Sequence, residues 1–528
     1  MKKLLLIKMA ALSAAITATF GLASCDFLSG PAETAPAETT QPQATSADIS
    51  ETTPEAKPGE TTESTAPAID PASVEYKTAK KISGATTEKN KKYKSSGAGE
   101  NAIILRGKKI SISLTNPTIT KSGNCDDEEL SRSYGVNAAF LAMDGVKALF
   151  SKGTVTTDGK GANAVVSYGG HGEQNGISGD GTSLVISGTN ITTNGDNSGG
   201  IVSAIRGKID ASSLTITTNG QSSPAIGSGK DGGTVKIANS NFTTNGISSP
   251  AVFSAGEFTV TGSGLVANKS EGVVVEGASS ANLSDCKLIA NNTQRTGKAK
   301  FISSILLYNP AVSTNNNDMS VFTMSGGKLT SKTGHIFHVS NTNAAINLSS
   351  VTIENEDKDK IILSVSPDGW KGNDNVAVLN VAGTTLDGNI LVAKKGKLTV
   401  NFSNNASFTG TFSGKITNAD GETVSSDQGV IYVNLGAGCT WTLTADTYVT
   451  SFTGDMNSVN LNGHKLFVKV EDDKPSSSDE PTPAPTTNKI KTPKKPTKKP
   501  TKKPTKKPTK KPTKKVKKNT PTPKTEQV

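Results

Sequence analysis

The sequence predicts an all-β protein, a parallel β-helix flanked by segments that do not fold. Three observations predict it. One phrase recurs between Leu184 and Gly277. Thr192-Thr193-Asn194-Gly195 leads to Ser198-Gly199-Gly200-Ile201, Thr217-Thr218-Asn219-Gly220 to Ser223-Pro224-Ala225-Ile226, and Thr243-Thr244-Asn245-Gly246 to Ser249-Pro250-Ala251-Val252. The asparagines step by 25 and then 26 residues, and Asn268 and Asn291 follow at steps of 23. A fixed period of this size marks a stacked solenoid. Second, each repeat holds three short runs of alternating β-formers, such as Ala225-Ile226, Thr234–Ile237 and Asn241–Thr244, parted by Gly, Ser, Asn or Pro. Third, 52 glycines and no sustained period of 3.6 exclude a helical repeat.

Stacking accounts for the residue types. Ile201, Ile226, Val252 and Val273 are expected to form one inward ladder. Asn194, Asn219 and Asn245 are expected to stack in a turn, where asparagine tolerates left-handed backbone and its amides pair along the ladder. Gly195, Gly220 and Gly246 are expected to supply the bend.

Residues 1–25 read as a lipoprotein signal peptide. Lys2 and Lys3 begin a basic segment, Met9–Phe20 is apolar but too short to span a bilayer, and Leu22-Ala23-Ser24-Cys25 follows. This resembles the bacterial lipoprotein signal. The resemblance implies cleavage before Cys25 and its acylation, hence attachment to the outside of the cell membrane. Residues 26–75 are rich in Pro and Thr, with ten acids and one Lys. Such a segment cannot bury enough apolar surface to fold and reads as a stalk. Cys125, Cys286 and Cys439 are far apart, and an odd number suits small buried hydrophobes rather than a disulfide framework.

Residues 76–470 read as the β-helix, with about fifteen coils. Residues 76–100 are polar and lysine-rich, a lead-in or cap. Convincing strands start at Ala102–Leu105. Cys125–Glu129 reads as an acidic loop, His171–Asn175 as a glycine-flanked loop and Asn291–Lys300 as an insertion. Later strands include Ser304–Tyr308, Ile336–Val339, Ile361–Val365, Val376–Val381 and Lys397–Phe402. Trp441 is expected to close the C-terminal coil.

Residues 471–528 form a second Pro/Thr linker and a Lys-Lys-Pro-Thr repeat. The repeat presents Lys494, Lys495, Lys498, Lys499, Lys502, Lys503, Lys506, Lys507, Lys510, Lys511, Lys514 and Lys515. Proline at every fourth position forbids helix and sheet and favours an extended chain. The formal net charge is +11, but residues 485–528 hold 17 Lys and one Glu. The body is close to neutral between an acidic stalk and a basic tail. Such a tail binds polyanions without sequence specificity. Outside a cell these are anionic cell-wall polymers, acidic glycans or lipid headgroups; nucleic acid is not the expected partner. A soluble spacer is the alternative.

Glu100-Asn101-Ala102 with Leu114–Thr118, Gly161–Val165, and Trp441–Thr444 with Tyr448-Val449-Thr450 carry a resemblance. Over most of 95–470 the chain resembles adhesin-like right-handed β-helix proteins of bacterial and archaeal surfaces, whose pectin-lyase-like architecture is shared with pectate lyases. The resemblance implies a right-handed coil and a surface location, and carries over no functional residues.

Chemistry is sparse. A polysaccharide lyase needs clustered carboxylates for calcium and a basic residue, and the chain has only Arg106, Arg132, Arg206 and Arg295, with Asp210 close to Arg206. Asp180, Asp231 and Asp285 do not recur at coil spacing, so no hydrolase pair can be placed on one face. Asp126, Asp127, Glu128 and Glu129, or Glu354, Glu356, Asp357 and Asp359, read as solvated loop charge before they read as calcium ligands. His335 and His338, three apart on a strand, are expected to face opposite sides. No catalytic residue, metal site or cofactor is assigned. Sugar stacking would use exposed aromatics: Trp370 after the turn Pro367-Asp368-Gly369, then Tyr168 and Tyr308, each with core packing as the alternative. An ice-binding array of Thr193, Thr218 and Thr244 is a minor possibility. The expected role is non-catalytic adhesion or carbohydrate binding at the cell surface. The rivals are a lyase or glycoside hydrolase on the same fold, and a purely structural envelope protein. Oligomeric state is open.

Overall fold

The computed structural model describes residues 69–170, 179–313, 315 and 317–469. The expectations for Cys25, the acidic linker up to residue 68, the loop His171–Asn175 and the lysine tail lie outside the described residues. All described residues belong to one compact unit that begins at Ala68.

Each coil makes three strands. One regular coil uses Ser183–Ser187, Asn190–Thr193 and Ile201–Ala204. Equivalent strands of successive coils pair in parallel and build three sheets. Sheet I, containing Ser183–Ser187, has 14 strands; sheet II, containing Asn190–Thr193, has ten; sheet III, containing Ile201–Ala204, has 13. A four-stranded sheet, Thr385–Asp387 to Val459–Asn460, takes the place of sheet II in the last coils. The result is a right-handed parallel β-helix, the hand that parallel crossovers take.

The expected ladder is in register: Ile201 pairs with Ile226, Ile226 with Val252, and Val252 with Val273. All four are fully buried. The row continues through Ile305, Phe337, Leu363, Ile390 and Phe412. Each such side chain contributes about 1.5–3 kcal/mol on burial, and this thin column is the core. Trp441 lies in it, not at its end, because Val459–Asn460 stacks on its strand and Gly410 O accepts its Nε1–H at 3.0 Å.

The asparagine ladder also forms. Nδ2 of Asn219 donates to Asn194 Oδ1 and Nδ2 of Asn245 to Asn219 Oδ1, each at 2.7 Å, and Asn268 continues it at 2.8 Å. The left-handed residues, however, sit three positions on, at Asn197, Ser222 and Ser248. The adjoining glycines are needed for another reason. A Cβ on Gly220 would lie 2.0 Å from Gly195 O, and one on Gly246 1.8 Å from Gly220 O. Neighbouring coils approach too closely there for any side chain.

Three other expectations change. Residues 77–95 already form coil strands, and the lead-in is the first turn of the solenoid. The acidic loop becomes helix α1 (Glu128–Tyr134): Asp127 caps it by accepting from Leu130 N at 2.9 Å, and Gly135 ends it at φ 72°. Thr193, Thr218 and Thr244 point inward and are fully buried, which removes the ice-binding reading. Lys121 fills the equivalent inward place two coils before Thr193. Its Nζ donates to Gly97 O at 2.9 Å and Gly123 O at 2.8 Å, and burial pulls its pKa down to about 8.

Candidate functional site on the outer face of sheet III

Strand alternation leaves Val166, Val202, Gly227, Phe253, Val274, Leu306, His338 and Ser364 on the outer face of sheet III. Two covers sit on that face. The first is α1 with residues 69–76. Tyr76 donates its hydroxyl to Tyr134 O at 2.8 Å, and Tyr134 donates to Ile69 O at 3.0 Å. Tyr168 packs beneath them, 6.3 Å from Tyr76 and 6.2 Å from Tyr134, and is fully buried. It therefore cannot stack on a ligand. The helix end seats on Gly229, where a Cβ would lie 2.3 Å from Arg132 O.

The second cover is formed by residues 291–300 and 366–375. Trp370 is 9% exposed, not open as its turn suggested, and its ring lies 4.3 Å from that of Tyr308. Both pack with Ala299, Leu306 and Val274. Tyr308 donates its hydroxyl to Glu276. Burial, and then the Glu276 charge, hold that phenol well above its ordinary pKa. Glu271, buried at the root of this cover, accepts from Ser270 at 2.8 Å and Thr296 at 3.0 Å, and burial pushes its carboxyl up.

Between the covers the face is open. A groove of about 320 Å³ has Ser228, Phe253 and Ala255 as its floor, Glu129, Arg132 and Ser133 of α1 on one side, and Glu276 on the other; Lys230 and Asp231 flank it. The Arg132 side chain is 65% exposed and lies 3.7 Å from Glu129. A larger cavity of about 480 Å³ runs beside residues 69–77 and Leu130, but no aromatic ring lines it. An aromatic floor between polar walls is the usual make-up of a sugar site.

Beyond the second cover lies a cluster that sequence reasoning missed. His335 Nδ1 and His338 Nδ1 are each 2.7 Å from Ser364 Oγ, and His338 Nε2 is 2.7 Å from Asp368 Oδ2. The other Asp368 oxygen accepts from the Lys300 backbone N–H. The two histidines share a side because Ile336 and Phe337 both point into the core at the corner where the strand begins, which breaks the alternation. The Ser364 hydroxyl can donate to one imidazole and accept from the other, so the four residues form one chain of hydrogen bonds. Burial, and then His338, push the His335 pKa down to about 3. The His338 and Asp368 side chains have no exposed surface, and Phe301 lies over both imidazoles at 5.2 and 4.8 Å. No substrate reaches this serine. The cluster fastens Lys300 and Asp368 to sheet III.

The remaining candidates are accounted for locally. Glu354 pairs with Lys328, Glu356 with Lys332 at 2.7 Å, and Asp357 accepts from Gly334 N. Asp126 lies 4.0 Å from Lys160, and Glu128 accepts from Asn197. Among the described residues no group of three His, Cys, Asp or Glu could hold a metal ion. Cys125, Cys286 and Cys439 are buried free thiols, as expected. Compared with protein-family models, curated proteins and solved structures, the chain matches none.

Proposed function

We propose that this is a surface lipoprotein of a bacterial envelope, attached through acylated Cys25, whose β-helix binds carbohydrate in the groove between α1 and Trp370. The observation that carries this reading is the open stretch of the outer face of sheet III between the two covers, with Phe253 as floor, Arg132 on one wall and Glu276 on the other. A sugar ring laid on Phe253 would place its hydroxyls against those charged groups, which hydrogen-bond more strongly than neutral ones. The adhesin-like resemblance supports the surface location, and the lysine tail is read as the contact to anionic wall polymers. The role is read as binding rather than turnover, since the two carboxylates that face each other across the groove are already engaged, Glu129 by Arg132 and Glu276 by the Tyr308 hydroxyl.

Co-sedimentation with insoluble glycans tests this. The wild-type chain should pellet with a particular glycan in high salt, where tail contacts are screened. The double variant Phe253→Ala, Arg132→Ala should stay in solution while unfolding at the same denaturant concentration. If both pellet equally, the groove is not the site. Release of soluble products from the pelleted glycan would replace binding by the lyase or hydrolase reading. Absence of binding to any glycan would leave the structural envelope role.

A further inference from the structure

The two ends of the solenoid differ in chemistry. The first coil carries Lys77, Lys80, Lys81, Lys89, Lys91, Lys92 and Lys94, all exposed. Among the described residues none of these seven lies in an ion pair. Three acids lie nearby: Glu88 accepts from the Tyr93 hydroxyl, Glu100 accepts from Ser95 Oγ at 2.5 Å, and Glu75 is exposed beside Lys77. Lys81, Lys89, Lys92 and Lys94 sit on the outermost strands of the three sheets, and Lys80, Lys91, Lys92 and Lys94 line a cavity of about 400 Å³ together with Glu88. The last coil instead exposes Tyr448, Met456, Leu461, Phe467 and Val468.

Charge on an end strand keeps other sheet edges away. That need is shared by both ends, yet the first coil carries seven exposed lysines where the last coil carries two, Lys465 and Lys469. Edge protection therefore does not account for the cluster. What distinguishes the first coil is its place in the chain: the segment leading from Cys25 joins the solenoid there. We propose that the lysine-bearing end of the β-helix docks on an anionic lipid surface, so that the solenoid stands on the membrane by its first coil. This rests on the lipid-anchor reading for its setting, but the contact itself is electrostatic. Each lysine near an anionic leaflet adds about fivefold in affinity, and a rigid end presents several at once. The groove between α1 and Trp370, several coils further along the solenoid, would then open sideways, clear of the headgroups.

Lysine acetylation footprinting on vesicles tests this, with the chain from Ala68 to Val528, which holds every described strand in one compact unit. Starting at Ala68 removes the acyl anchor, so a failure of the anchor reading cannot imitate the result. With phosphatidylglycerol vesicles, Lys81, Lys91, Lys92 and Lys94 should be protected, while the exposed Lys358 and Lys371 should label as in solution. Phosphatidylcholine vesicles should protect none. In the variant Lys91→Gln, Lys92→Gln, Lys94→Gln, protection of Lys80 and Lys81 should fall by about fivefold for each lysine removed, while the tail lysines keep theirs. Equal labelling of the first coil with and without anionic vesicles would overturn the proposal. So would protection by a soluble polyphosphate but not by vesicles, or protection that disappears when the chain starts at Asp26, because the acidic linker would then be the occupant.

Discussion

The coils from Ser183 to Ala290 and those from Ser303 to Ser413 make the same three-sided solenoid by different means. The earlier coils repeat one set of parts: an apolar ladder, an asparagine ladder and a glycine where coils touch. Their order comes from each coil resembling the next. The later coils keep the inward ladder but vary around it. Residues 291–300 and 366–375 fold back over the outer face of sheet III, and that cover is held by single interactions: Trp370 on Tyr308, and Asp368 on His338 and Lys300. Repetition spreads stability over many small contacts, whereas the cover depends on a few buried polar groups that must all be satisfied.

The largest way to break the later region is Asp368→Ala. It leaves His338 and the Lys300 N–H buried without an acceptor and should cost about 3–5 kcal/mol, read as a lower midpoint in denaturant unfolding. Gly220→Ala attacks the regular region. Its Cβ would overlap Gly195 O, and a loss of about 3 kcal/mol is expected, whereas Gly421→Ala, with open space around it and only its positive φ to oppose it, should cost less.

Acid should separate the regions next. The folded pKa of His335 lies near 3, below its unfolded value of 6.5. Its contribution is therefore complete above about pH 6.5 and is lost as pH falls towards 3. Deuterium exchange at pH 4 should rise around residues 298–301 and 366–370 before it rises at Asn219. His335→Phe should remove that part of the pH dependence. The smallest effect belongs to Asn219→Ala, which deletes two exposed hydrogen bonds of a ladder and should cost about 1 kcal/mol.

The fold was legible wherever the chain repeats itself. The inward ladder and the asparagine ladder follow from spacing alone, since stacking makes equal positions meet. The covers were not legible, because they occur once. Trp370 follows a turn and looks exposed in sequence, and only the fold-back of 291–300 buries it. The histidine cluster was hidden because strict alternation sends His335 and His338 to opposite sides, and the corner at Ile336-Phe337 cancels that. One signal was available and went unused. Ile346-Asn347-Leu348, Leu379-Asn380-Val381, Val400-Asn401-Phe402 and Val433-Asn434-Leu435 each place one asparagine between apolar residues. They form a second asparagine ladder on sheet I, with bonds of 2.7–2.8 Å. The groove joins both cases. Phe253 belongs to a legible strand, but Arg132 reaches it only because the acidic segment is a helix.

The proposed recognition site lies where the two covers leave sheet III open. Deuterium exchange of the full chain, with and without a soluble fragment of the glycan that pellets it, tests this most directly. Protection is expected at Ile226–Ser228, Val252–Ser254, Val273–Glu276 and α1, with sheets I and II unchanged. Protection confined to sheet I or sheet II, with these segments exchanging as in the free protein, would contradict it.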